Sequence, residues 1–317
     1  MPDISVATIA TIVAAASPLV FAVVGETITE KAGVVNLSLD GSMLLSAMVG
    51  FAVAFTTGSV PLGFAAAALV SALIALIVAF ASIELRLNQI AVGFVLTLLG
   101  ANLSAFLGQD YVRKPGPYVT SMEIPVLSGI PVLGPVLFDQ NPVVYASLIL
   151  VAVSMWFMFN TRRGLELQSV GERPEAAFAR GIPVNRLRYV YTVLGGALVG
   201  IGGAAFSLDV KAGWSDGHIA NYGWIALAIV IFGGWHPGRA ALGCYLFGLL
   251  QVMALKLQPS LPNLSQVLPI LPFPLMIATL VVVNLPAVRR LAVRSRVFGR
   301  LFQGEPPGAL GRAFWRE

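Results

Sequence analysis

Few residues of this 317-residue chain could take part in metal or covalent chemistry, and they are dispersed. His218 and His236 each stand in a short connection without a second histidine or cysteine at ligand spacing, whereas zinc takes three or four convergent ligands. Cys244 is the one cysteine, so no intramolecular disulfide and no thiol cluster can form. A phosphate-cradling loop needs Gly-Lys followed by Ser or Thr. Lys31, Lys114, Lys211 and Lys256 are none of them preceded by Gly or followed by Ser or Thr, so the chain does not hydrolyse ATP through such a loop. HExxH does not occur, and the apolar stretches hold no close acid–base pair. No catalytic residue, metal or cofactor is expected. The same scarcity weighs against ion-coupled carriers, which usually keep carboxylates or histidines within the membrane.

What remains is a set of polar side chains at the edges of, or inside, apolar stretches: Asn36, Asp40, Asn88, Gln89 and Asn102. Polar groups in hydrocarbon are costly, and are either paired or functional. Asn88 and Asn102 are fourteen residues apart, close to four helical turns, which allows both on one face. Two readings stand: hydrogen bonds between helices, or a pathway for a polar solute.

The elements that must position these groups are membrane helices. The chain is 57% hydrophobic and 11% charged, outside the range of soluble domains. Apolar stretches long enough to cross a bilayer, about 20 residues each, occur near 4–24, 42–57, 60–81, 89–108, 142–159, 187–208, 240–257 and 268–288. A shorter one lies at 222–235. The expected fold is an all-α polytopic bundle with about nine crossings, eight to ten being possible. The sixth stretch carries Gly195, Gly196, Gly200, Gly202 and Gly203, a density that suits close helix packing.

Charge distribution sets orientation. Of the 20 Lys and Arg, six lie at 160–188 (Arg162, Arg163, Arg173, Arg180, Arg186, Arg188). Seven lie in the tail (Arg289, Arg290, Arg294, Arg296, Arg300, Arg312, Arg316). By the positive-inside rule both clusters are cytoplasmic, which puts the N-terminus outside and the C-terminus inside. The net charge of +5 is thus a topology signal and does not point to nucleic acid. A single transmembrane domain is expected at 1–294, with a cytoplasmic loop at 160–188 and a mobile cytoplasmic tail at 295–317. Two connections are special. The polar segment 25–40 reads either as a cytoplasmic loop or, over 34–41, as non-helical backbone enclosed by protein. The connection 109–141, with Pro115, Pro117, Pro125, Pro131 and Pro135, cannot be one helix and is expected to be an ordered external loop that docks a partner.

Within 160–188, the run 171–182 describes a helix of about two turns. Pro174 suits its first position, Glu172 and Glu175 its positive end, Arg180 its negative end, and Gly181 its close. So short a helix is marginal alone and is held by packing against something else.

The chain resembles the permease subunits of bacterial importers of the ATP-binding-cassette (ABC) type for nucleosides and simple sugars, relatives of ribose and branched-chain amino-acid permeases. The resemblance rests on GETITEKAGVVNLSLDGSML at 25–44, LNQIAVGFVL at 87–96, GIPVLGPVLFDQNPVVY at 129–145, VGERPEAAFARGI at 170–182 and YGWIALAIVIFGGWHPGRAALGCYLFG at 222–248. It implies that 171–182 is the coupling helix seated in a groove of a cytoplasmic ATPase, using Gly171, Glu172, Arg173, Pro174, Glu175, Ala176, Ala177, Phe178, Arg180 and Gly181. Phe178, Ala176 and Ala177 would be its docking surface. It also implies a second permease subunit in a heterodimer, an extracytoplasmic solute-binding protein, contact with membrane lipid, and a multi-pass place in the bacterial inner membrane. Asp40 stands where relatives often have Glu, and Thr97 where they often have Asn. The competing expectation from another class is a stand-alone secondary carrier or channel for a small polar solute.

Overall fold

The computed structural model describes residues 5–125, 128, 130, 131, 134–260, 264, 267–285 and 305–315. The tail residues Arg289, Arg290, Arg294, Arg296, Arg300 and Arg316 lie outside these.

Helix α1 (Val6–Lys31) opens at Ser5, whose hydroxyl accepts the Thr8 N–H at 3.4 Å. It does not end at Val24, where polarity begins, but continues through Lys31. The first half of the 25–40 segment is therefore helix. The polar side chains responsible for the loop expectation are buried and partnered: Glu26 accepts the Asn36 N–H at 3.2 Å, and Glu30 accepts the indole N–H of Trp235. Residues 32–38 are non-helical, and the chain turns helical again at Leu39 in α2 (Leu39–Thr57). Non-helical backbone is thus enclosed by protein over 34–38, while Asp40 and Gly41 belong to a helix.

Three further long helices follow, α3 (Val60–Ile83), α4 (Gln89–Gly108) and α5 (Pro142–Asn160). The polar interruption at 160–188 then contributes α6 (Arg162–Glu172) and α7 (Pro174–Ala179). After it come α8 (Val184–Ala205), continued by a π turn to Val210, then α9 (Tyr222–Phe232), α10 (Pro237–Leu257) and α11 (Pro272–Asn284). Among the described residues seven helices are long and apolar enough to cross a membrane, and α9 is apolar but shorter. The protein is a multi-pass helical bundle.

The glycines of α8 explain why it lies at the centre. Gly196 and Gly200 sit on Ala75 and Ala67 of α3, Gly202 on Pro18 and Ala22 of α1, and Gly203 on Met43 of α2. A Cβ at Gly203 would come within 2.6 Å of the Met43 carbonyl oxygen, so three neighbours approach α8 at backbone distance. The described residues of the 109–141 connection pack on the ends of α2 and α8 at Phe51 and Leu208. Short strands β1 (Met122–Glu123) and β2 (Asp139–Gln140) pair antiparallel, and the Val119 N–H donates to the Leu208 carbonyl at 2.8 Å.

Residues 305–315, from the expected mobile tail, have fixed partners. They run across the ends of α1, α6 and α8, with Ala309 N donating to the Gly171 carbonyl at 2.8 Å and Gly311 N to the Gly33 carbonyl at 3.0 Å.

Candidate functional site

Two places gather the chemistry-bearing residues. The first lies inside the bundle, where two interrupted segments meet. The start of α2 does not sit level with the start of α4. Gly41 rests on Thr97 and Gly100, near the middle of α4, and Thr97 Oγ1 donates to the Leu37 carbonyl at 2.7 Å. Residues 32–38 therefore climb from the end of α1 to about half the height of α4 before helix resumes. From the opposite end, the chain after α8 passes inward through buried Trp214 and Ile219 to Asn221, which adopts φ 72° and turns it into α9. The beginnings of α2 and α9 then face each other: Asp40 Oδ1 accepts the Gly223 N–H at 2.9 Å. The contact is at backbone distance, since a Cβ at Gly223 would touch the Asp40 backbone and stand 2.7 Å from the Leu39 carbonyl carbon. Asp40, in the first turn of one helix, caps the first turn of the other, so one carboxylate sits between two positive helix ends. Helices that begin at mid-height with facing N-termini are the construction transporters use to bind solute inside a bilayer.

The five predicted pathway residues do not converge. Asn36 is buried, with Oδ1 accepting the Ser38 hydroxyl at 2.6 Å and its N–H at 3.1 Å, which fixes the non-helical segment. Gln89 is buried beside it and accepts the Val35 N–H at 2.8 Å. Asn88 is exposed and caps α4 through the N–H groups of Ile90 and Ala91, so it precedes the helix and does not share a face with Asn102. Asn102 is exposed and bonds its own helix at the Leu98 carbonyl. Asn36, Asp40 and Gln89 thus share one region, and Asn102 stands apart. Outside that set, Ser104 bonds α4 to α2: its hydroxyl donates to the Leu44 carbonyl at 2.9 Å. Sequence reasoning also missed Tyr222 and Gln251. The Tyr222 ring stands edge-on to Phe206, Phe247 and Phe273, and its hydroxyl is bonded by the Gln251 amide. Asn-Tyr-Gly at 221–223 was the available signal, because Asn tolerates positive φ and Gly close approach.

The second place is the interruption. Thr161 caps α6 by accepting the Gly164 N–H at 3.0 Å, and α6 turns into α7 at Arg173. Pro174 takes the first helical position, and Gly181 at φ 80° closes the turn as expected. The helix is six residues long, nearer one and a half turns than two. Its faces differ. Ala177 is 2% exposed and packs with Val170, Val184 and Phe314, whereas Ala176 is exposed and Phe178 is 41% exposed. Ala177 is therefore a packing residue, and the outward surface includes Ala176 and Phe178. Between α6 and α7 lies a cleft of about 600 Å³, lined by Arg162, Glu166, Glu172, Arg173 and Ala176 among others. Lys31 reaches Glu172 at 4.0 Å, so the end of α1 is tied to the end of α6.

Both histidines pack within the fold. His218 Nδ1 lies 2.8 Å from the Ser215 carbonyl, and burial pushes its pKa down to about 4. His236 stacks on Phe159 at 5.0 Å, and burial, with Arg239 nearby, lowers its pKa too. Among the described residues no group of three His, Cys, Asp or Glu side chains could hold a metal ion.

Residues 8–280 match the family described as the permease component of branched-chain amino acid transport systems. Similar curated proteins include a putative glucose ABC transporter permease protein of Haloferax volcanii, 36% identical over 78% of this chain and 76% of its own. A nucleoside ABC transporter permease protein of Lactococcus lactis subsp. cremoris is 33% identical over 75% and 78%. A guanosine ABC transporter permease protein of Bacillus subtilis is 32% identical over 76% and 79%. No solved structure matches.

Proposed function

This chain belongs to the family of permease components of branched-chain amino acid transport systems, and from that membership we propose that it is the translocation subunit of an ABC importer for nucleosides or simple sugars. Permeases of this kind transport and are not enzymes; ATP hydrolysis belongs to a separate subunit. The cargo follows the named activities of the similar proteins, glucose for one, nucleosides or guanosine for two.

The observation that carries the mechanism is α7. A six-residue helix is marginal by itself, yet here Ala177 anchors one side of it while Phe178 is exposed and Ala176 lines a cleft. In this reading the ATPase receives α7 in a groove, and its closure on ATP moves α7 with α6 and α8, to which α7 is packed. Counting α9 and α11 with the seven long helices gives nine crossings, with the N-terminus outside and α7 and the C-terminus in the cytoplasm. The 1–294 part acts as one domain of the plasma membrane. A second permease completes the pathway, which passes the facing starts of α2 and α9, where Asp40, Asn36 and Gln89 lie. A solute-binding protein docks at the other end, where Arg113, Lys114 and Lys211 line a cleft of about 670 Å³.

The test is uptake of labelled nucleoside and labelled glucose into proteoliposomes. With both permeases, the ATPase and the binding protein present, uptake against a gradient is expected only with ATP on the ATPase side. Downhill uptake of the same solute by the purified chain alone would make it a secondary carrier or channel instead.

A further inference from the structure

The segment 305–315 lies on the same elements that hold α7, and its contacts are more than a terminus needs in order to rest on a surface. Four hydrogen bonds tie it down. Gly308 N donates to Glu172 Oε2 at 3.1 Å, Ala309 N to the Gly171 carbonyl at 2.8 Å, and Gly311 N to the Gly33 carbonyl at 3.0 Å. The fourth is from Arg188 Nη1 to the Arg312 carbonyl at 2.8 Å. Arg188 is 2% exposed, and its guanidinium lies against Gly33, just past the C-terminal end of α1, where a cation is favoured. A buried guanidinium deprived of an acceptor is destabilising, so the Arg312 carbonyl is held firmly.

Beyond those bonds, Phe314 is 8% exposed and packs with Val170 of α6, Ala177 of α7 and Val184 of α8. Its ring lies 5.5 Å from that of Phe178. Trp315 receives the Arg86 guanidinium at 4.0 Å from its ring, which reaches the α3–α4 turn. One short stretch therefore touches α1, the α3–α4 turn, α6, α7 and α8. Phe314 fills the angle between the three elements of the interruption and its exit helix.

We propose that residues 305–315 form a strap that positions α7, with Phe314 as the positioning residue that makes α7 move as one body with α6 and α8. This rests on the coupling role given to α7 above. A helix of one and a half turns has too little intrinsic stability to transmit a displacement. Wedging it between Val170, Val184 and Phe314 turns a push on its outer face into a push on α8, and α8 lies on α1, α2 and α3.

The test uses the assembled importer with three variants, Phe314→Ala, Phe314→Leu and Ala176→Arg. Phe314→Ala is expected to leave the ATPase subunit bound and its basal hydrolysis intact. Solute moved per ATP should fall about threefold or more, within the range of couplings carried by packed elements. Phe314→Leu should restore most of that ratio. An unchanged ratio, with only the thermal midpoint lowered, would overturn the strap while Ala176→Arg still uncoupled the importer. If Ala176→Arg were also without effect, the coupling role of α7 would fall first. Should Phe314→Ala fail to assemble, Trp315→Ala serves instead, freeing the strap from Arg86: solute moved per ATP is expected to fall about twofold with basal hydrolysis intact. An unchanged ratio in that variant would refute the strap.

Discussion

Placing arginine at Ala176 should cut solute-stimulated ATP hydrolysis by the assembled importer at least ~10-fold, the effect of ~1.4 kcal/mol lost at a docked surface. Ala176 is exposed beside Phe178 and lines the cleft between α6 and α7. An arginine there leaves the buried face of α7 untouched, so insertion and thermal stability should stay near wild type, as exposed substitutions usually do. The cleft already holds Arg162, Arg173 and Arg180, so the added cation also makes its charge more one-sided. Ala177→Arg is a different experiment. Ala177 is 2% exposed against Val170, Val184 and Phe314, and a guanidinium forced into that contact would displace α7 altogether. Undiminished stimulation in Ala176→Arg would remove α7 from the coupling route.

Gly223→Ala should abolish uptake. The new Cβ would meet the backbone of Asp40 and stand 2.7 Å from the Leu39 carbonyl carbon, and no rotamer relieves a clash with backbone. Overpacking of this kind costs about 1–3 kcal/mol, and relief requires α9 to leave α2. That movement breaks the 2.9 Å bond from Gly223 N to Asp40 and leaves a buried carboxylate without that donor. A thermal midpoint lowered by several degrees should accompany the loss of uptake. Gly213→Ala is the control, because the nearest atom to a Cβ there is 3.8 Å away. Wild-type uptake by Gly223→Ala would show that the facing starts of α2 and α9 need not stay in contact.

Much of this was legible in the residues. Apolar stretches of crossing length announced the bundle, the spacing of the α8 glycines announced close packing, and Pro174 with Gly181 bounded α7 because each has a strong steric reason for its place. What escaped reading depends on partners far along the chain. Glu26, Glu30 and Lys31 looked like a loop, since polarity is visible in sequence whereas the Asn36 N–H, the Trp235 indole and Glu172 that pair with them are not. Helix α6 was hidden by its charges, although Thr161 is an ordinary N-cap. Asn88 was treated as a helix-face amide when its place just before Gln89 suited it to capping α4. Nothing in Arg312 or Phe314 names Arg188 or Ala177 as neighbours, so the tail read as unattached.

The element that the mechanism needs most is the short helix that Pro174 opens and Gly181 closes, whose packed and open faces only the structure distinguishes. A photoreactive amino acid at position 176 of the full-length chain, irradiated in native membranes holding the whole importer, tests it most directly. An adduct with the ATPase subunit is expected. Adducts with lipid alone, in membranes whose ATP-driven uptake is intact, would contradict it.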